Sequence, residues 1–127
     1  VSEHIVSSAS ENAALVDYAQ IESLLEVAGR RGVEEILFAF WRSTDDLVQQ
    51  LNRQIGCDDF IGAARSSHAL KGSAANVGAN ALADAAKDVE LHSKELNARS
   101  ALDALAKLER IYARTRAAIS ARLEKAA

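Results

Sequence analysis

The stretch His68-Ala69-Leu70-Lys71-Gly72-Ser73-Ala74-Ala75-Asn76-Val77-Gly78-Ala79 reads as the second half of a helix that ends at Gly78. It carries a histidine, a lysine and a glycine where a solvated helix face ordinarily carries salt-bridge pairs. Followed back toward the N-terminus, Phe60, Ala63, Ser67, Leu70, Ala74 and Val77 recur at steps of three and four, the spacing of one helix face. A seam of mostly small side chains lets neighbouring helices approach closely. Asp58 or Asp59 is placed to cap the start of this helix, and Gly78 to close it as the residue just past its end.

The flanking segments repeat the helical period. Val33, Ile36, Leu37, Phe40, Thr44, Leu47, Val48, Leu51 and Ile55 mark a long amphipathic helix, with Trp41 at the edge of its stripe and Gly56 at its end. Before it, Asp17 is a plausible N-cap for a short helix with Ile21, Leu24, Leu25 and Ala28 inward, stopped between Gly29 and Gly32. After the opening stretch, Asn80 is placed to cap a helix whose stripe is Leu82, Ala85, Ala86, Val89, Ser93 and Leu96. A break over Asn97 to Ser100 leads to a last helix with Leu102, Leu105, Leu108, Ile111, Tyr112, Thr115, Ile119 and Leu123 inward. Long helices joined by short connections imply antiparallel neighbours. The expected fold is all-α: an up-down four-helix bundle with a short additional N-terminal helix across one end. Residues 15–127 are expected to form this single domain, behind a flexible N-terminal tail over residues 1–14.

Composition agrees with this class and excludes others. The 127 residues include no proline and six glycines, and suffice for one substantial core. A net charge of −3 supplies no basic field for nucleic acid or an anionic membrane, so neither is an expected partner. No apolar run approaches the roughly 20 residues a bilayer-spanning helix needs, and the first ten residues lack the basic-then-apolar pattern of a secretion signal. The single Cys57 can form neither an internal disulfide nor a cysteine-rich metal site, which fits a reducing compartment; it reads as a small filler near a helix end. A cytoplasmic location is expected.

Projection at about 100° per residue sets His68 roughly 130° from the buried direction of its helix, with Ala64, Lys71, Gly72 and Ala75 within about 60° of it. The histidine therefore faces outward among small and basic neighbours. Glycine inside a helix costs about 1 kcal/mol relative to alanine, and Gly72 lies where no helix packing demands it. Close approach of another molecule would explain it. Lys71, one turn on, could balance negative charge arriving on the imidazole. The combination suits a histidine that attacks phosphorus, with the lysine steadying phosphoryl oxygens. A solvated histidine on an amphipathic helix is the competing reading, and at this point both stay open.

The residues His68-x-Leu70-Lys71-Gly72-Ser73-Ala74-x-x-x-Gly78-Ala79 closely resemble the signature of the histidine-containing phosphotransfer (HPt) domain family of bacterial multistep phosphorelays. Phe40, the helix order and the chain length resemble the family too. What the resemblance implies is that His68 accepts a phosphoryl group on Nε2 from an aspartyl phosphate of one receiver domain and passes it to the aspartate of another. Lys71 would stabilise the phosphoryl group and Gly72 would admit the partner. The resemblance also implies no kinase activity, no nucleotide and no cofactor of its own, with Mg²⁺ belonging to the partner receiver domain. Response-regulator receiver domains and a hybrid sensor kinase are the implied partners, and a monomer is expected. The family tends to carry a polar residue on the following helix that hydrogen-bonds the imidazole; here that position is Glu90. A carboxylate accepting from Nδ1–H would leave Nε2 free to attack. The plainer reading of Glu90 is a surface carboxylate paired with Lys87 or Lys94.

Ile61, Ala64, Arg65 and Ala75 are the candidate docking rim around His68. His92 and His4 read as solvated, and no metal site is expected, because the Glu-x-x-His pairs of di-iron bundles are absent. Ser66, Ser67 and Ser73 read as packing residues, since no Asp/His constellation sets one up as a nucleophile. Two alternatives compete with a phosphoryl carrier. One is a helical adaptor that binds receiver domains without being phosphorylated. The other is a sensor-kinase dimerisation domain, disfavoured because Ala69 stands where an acidic residue usually follows the histidine.

Overall fold

The computed structural model describes residues 15–125, and the regular secondary structure among them is helical throughout. Four elements follow in order: α1 Tyr18–Gly56, α2 Phe60–Asn76, α3 Asn80–Lys94 and α4 Ala98–Lys125. The expected tail over residues 1–14 lies outside the described residues. Each helix packs on its neighbours in a closed ring, α1 on α2, α2 on α3, α3 on α4 and α4 on α1, with α2 and α3 the most intimate pair. Consecutive helices joined by short turns run antiparallel, which gives the up-down bundle.

The helix starts and stops follow side-chain chemistry. Asp17 caps α1 by accepting from the Gln20 N–H at 3.3 Å, and Asp59 caps α2 by accepting from the Gly62 N–H at 2.9 Å. A Cβ on Gly62 would run into that same Asp59 carboxylate, so the cap and the glycine belong together. Inside α1, Gly29 breaks the helix with φ 73 and ψ 172. An added Cβ there would meet nothing, so the left-handed backbone alone favours glycine. This is the expected division between a short first helix and a long second one.

The short first segment lies over the end of the bundle where α2 and α4 finish. The Asp17 N–H donates to the Gly78 carbonyl at 2.8 Å. The Gln20 side-chain amide donates to the Ala75 and Asn76 carbonyls at 3.2 and 2.8 Å, satisfying groups that the end of α2 leaves unpaired. Glu22 pairs with Arg122 of α4. Gly78, with φ 79, turns the chain out of α2.

One core runs through the bundle, contributed by Ile21, Val33, Leu37, Phe40, Leu51 and Ile55 of α1, Leu70 of α2, Leu82 and Val89 of α3, and Leu105, Leu108 and Ile119 of α4. Trp41 is buried as well; its ring is 5.2 Å from Phe40 and 6.0 Å from Tyr112, with the Arg116 guanidinium over it.

Several expectations are corrected. Leu96 is 69 % exposed instead of inward, because α3 ends at Lys94 and the chain turns at Leu96 with φ 57. The helical period has no meaning beyond the helix end. Leu102 is 47 % exposed, the buried stripe of α4 running instead through Ala101, Leu105 and Leu108. Ile36 likewise lies off the buried line of Val33, Leu37 and Phe40. Asn80 is the first helical residue of α3 and not its cap; Ala79 holds the cap position fully buried, where packing leaves no place for a polar side chain. Cys57 is exposed and fills no gap in the core; its thiol donates to the Gln54 carbonyl at 3.6 Å.

Candidate functional site

His68 lies midway along α2, and its side chain is 66 % exposed, as the outward projection requires. The opposite face of the same helix is buried through Ala63, Ser67, Leu70 and Ala74. Because that face is built largely from alanine and serine, α3 comes close. On α3, Val89 points into the core, and Glu90, one residue on, is carried against α2 with its side chain only 9 % exposed.

Three groups converge on this carboxylate. The His68 Nδ1 is 3.1 Å from Oε2. Lys71 Nζ donates to Oε1 at 3.1 Å. Lys94 Nζ stands 3.0 Å from the same Oε2 that faces the histidine. Burial by itself would raise the Glu90 carboxyl, but hydrogen bonds from Lys94 and Lys71, with the charges of the two ammonium groups, outweigh it. The carboxyl is held below the ordinary glutamate value. An ionised carboxylate only accepts. With Glu90 accepting, the neutral His68 ring donates from Nδ1–H and carries its lone pair on Nε2, away from Glu90. The arrangement pairs one ring nitrogen of an exposed imidazole with a buried carboxylate and leaves the other nitrogen open to solvent.

Gly72 is exposed, and a Cβ added to it would meet no atom. Nothing inside the protein demands glycine there. Ala64, Arg65, Ala69, Glu90 and Lys94 surround the shallow depression beside His68. A second, more apolar groove adjoins it, lined by Phe60, Ile61, Ala64, Arg65, Ser93, Lys94 and Leu96. Of the candidate rim, Ile61, Ala64 and Arg65 thus come together. Ala75 is exposed but lines neither depression, and its carbonyl serves Gln20. The serines are engaged: Ser66 donates to the Gln54 side chain, Ser67 to the Ala63 carbonyl and Ser73 to the Leu70 carbonyl. His92 faces Glu95, the residue just past the end of its helix, and His4 lies outside the described residues. Among the described residues, no three His, Cys, Asp or Glu side chains group as metal ligands do.

Two participants escape a reading by periodicity. Lys94 stands four residues after Glu90, a spacing that does signal an ion pair; its convergence with His68 on one oxygen is not visible in that spacing. Leu96 turns from an expected core residue into a wall of the groove. Glu90 meets the histidine and Lys94 together, so the expected pairing with Lys94 is present, but on a buried carboxylate and not on a surface one.

The Hpt domain family model matches residues 35–118, a span that includes His68, Lys71, Gly72, Glu90 and Lys94. The chain belongs to the Hpt domain family. It is accordingly a histidine phosphotransfer protein of phosphorelays, a phosphocarrier of the class that works with receiver domains and kinases. Histidine-containing phosphotransfer protein B from Pseudomonas aeruginosa PAO1 is similar in structure, with a TM-score of 0.81, over 89 % of this chain and 97 % of that one. The two sequences are 22 % identical, so the likeness is one of fold. No curated protein matches the Hpt chain in sequence. Among its described residues, no helix is long and apolar enough to cross a membrane.

Proposed function

We propose that His68 is the phosphoacceptor, taking a phosphoryl group on Nε2 from an aspartyl phosphate of one receiver domain and returning it to the aspartate of another. The observation that carries this reading is the pairing of an exposed imidazole with a buried, ionised carboxylate at Nδ1, 3.1 Å away. The attack uses the Nε2 lone pair. As the N–P bond forms, the P–O bond to the aspartate breaks and its electron pair leaves with the carboxylate. The ring becomes an imidazolium, and Glu90 holds its Nδ1 proton and offsets its charge. Lys71 steadies the phosphoryl oxygens, and the open face at Gly72 admits the receiver backbone. Ile61, Ala64 and Arg65 form the docking rim, modest in area because a carrier must release each partner; Ala75, exposed farther along α2, lies apart from the depression they share.

In this reading the protein has no kinase activity of its own, works as a cytoplasmic monomer, and receives phosphate by way of a hybrid sensor kinase. The Mg²⁺ is that of the partner receiver domain. The test is incubation with a phosphorylated receiver domain. An acid-labile, base-stable label on the wild type, absent from His68→Gln, is the expected result. A wild type that binds the receiver yet takes no label is instead a non-phosphorylated adaptor.

A further inference from the structure

Lys94 has no part in the mechanism derived so far, and its place is unusual for a helix-surface lysine. Its ammonium stands 3.0 Å from the very Glu90 oxygen that faces His68 Nδ1. It borders both the depression beside His68 and the adjoining apolar groove. Its side chain remains 64 % exposed, so it is held at one end and free to swing along its length.

We infer that Lys94 is a second phosphoryl-binding cation, held on Glu90 while His68 is free and transferred to the phosphoryl oxygens when His68 is loaded. The inference rests on His68 being the phosphoacceptor. Charge balance argues for it. A transferred phosphoryl group brings close to two negative charges, beside a Glu90 that is already ionised. The imidazolium ring and Lys71 together leave one negative charge uncompensated; Lys94 closes the deficit. The requirement sharpens under a docked partner, because excluding water strengthens each unbalanced charge. Nucleophile and leaving group are unchanged: the ammonium makes and breaks hydrogen bonds only. Glu90 thus stores two lysines in position, and its own Nδ1 contact persists when they leave.

The experiment compares wild type, Lys94→Ala and Lys94→Arg, with Lys107→Ala on α4 as a charge-matched control away from the site. Each is phosphorylated in two ways, by phosphoramidate and by a phosphorylated receiver domain. The rate of acceptance and the half-life of phosphohistidine are followed by ³¹P NMR and acid lability, with thermal melts alongside. Lys94→Ala should accept about tenfold more slowly from the receiver, the worth of one charge-assisted contact, and its phosphohistidine half-life should change by more than about twofold. Lys94→Arg, which keeps a cation at the site, should recover part of the lost rate, and Lys107→Ala should stay within about twofold of wild type. Acceptance and half-life of Lys94→Ala both matching wild type would overturn the inference and leave Lys94 as a helix-surface ion pair. A change in melting temperature with unchanged transfer would overturn it as well. A wild type labelled by neither donor would instead sink the assignment of His68, and this inference with it.

Discussion

Nδ1 of His68 on α2 and Oε2 of Glu90 on α3 face each other at 3.1 Å, although twenty-two residues separate them in the chain. One partner is open to solvent and the other almost closed from it. The proposed transfer draws on this inequality: the carboxylate is held by packing and by two lysines, and in that proposal it orients the ring. Replacing Glu90 by Ala should slow acceptance from a phosphorylated receiver by about tenfold, the range of losing one charged hydrogen bond. Glu90→Gln, which can still accept from Nδ1–H, should fall between. Stopped-flow or quench-flow transfer assays separate the three, and wild-type rates in Glu90→Ala would remove the residue from the mechanism.

Glu90 also predicts a pH dependence of stability. Its carboxyl is held below the ordinary 4.5 because hydrogen bonds and charges from Lys94 and Lys71 overcome the effect of burial. A carboxyl lowered in the folded state contributes stability that is fully present above its unfolded value and is lost as pH falls through its folded value. Urea unfolding at pH 7 should therefore find wild type more stable than Glu90→Gln. The gap should narrow as pH drops below 4.5. A gap that widens toward acid would contradict the assigned direction.

At Gly72 fold and function should separate. Outside its chain neighbours and the adjacent backbone of its own helix, no atom lies within 4 Å of a Cβ built there, and replacing an exposed helical glycine by alanine gains about 1 kcal/mol. Gly72→Leu should thus melt at or above the wild-type temperature. It should be labelled by phosphoramidate nearly as well as wild type, but accept far more slowly from a receiver domain, whose surface must come close. Equal losses with both donors would point to damage at His68 instead of to obstruction.

The groove walls offer a second separation. Ile61 and Leu96 are 71 % and 69 % exposed, so they contribute little to the core. Leu96 also holds a left-handed φ of 57, a conformation that costs a non-glycine residue about 1 kcal/mol. Leu96→Gly should raise stability by about that amount while weakening receiver binding, and Ile61→Asp should weaken binding with little change in melting. Calorimetric titration with a receiver domain, beside thermal melts, reads both quantities.

Gly78 should behave in the opposite way. Its φ is 79, and a Cβ there would lie 3.1 Å from the Asp17 carbonyl oxygen. Gly78→Ala should cost about 1–2 kcal/mol by straining the turn and loosening the first segment of α1 from the end of α2. Chemical denaturation measures the loss, and His68 should still be labelled in the protein that remains folded.

What was legible in the chain is what a single helix decides alone. Periodicity placed Leu70 and Ala74 inward and His68, Lys71 and Gly72 outward, because side-chain direction within a helix follows from its pitch. Local chemistry placed the Asp17 cap, a cap at Asp58 or Asp59, a break between Gly29 and Gly32 and the stop at Gly78, since those depend on bonds and dihedral angles within a few residues; the structure puts the second cap at Asp59 and the break at Gly29. Family resemblance supplied Glu90, which no pattern within α3 distinguishes from any other surface carboxylate.

How α2 and α3 meet is settled by packing between the helices. Bringing Glu90 within reach of His68, Lys71 and Lys94 together depends on how closely the alanine and serine seam lets two helices pack and on their axial register. The tertiary structure also moved Leu96 out of the core, because the end of α3 cut the period short. Helical pitch and local chemistry are enough for an all-helical chain and for the outward face bearing His68, Lys71 and Gly72. The packed bundle determined the charge cluster behind that face, because distances between helices are set by the sum of many small contacts and not by any one stretch of residues.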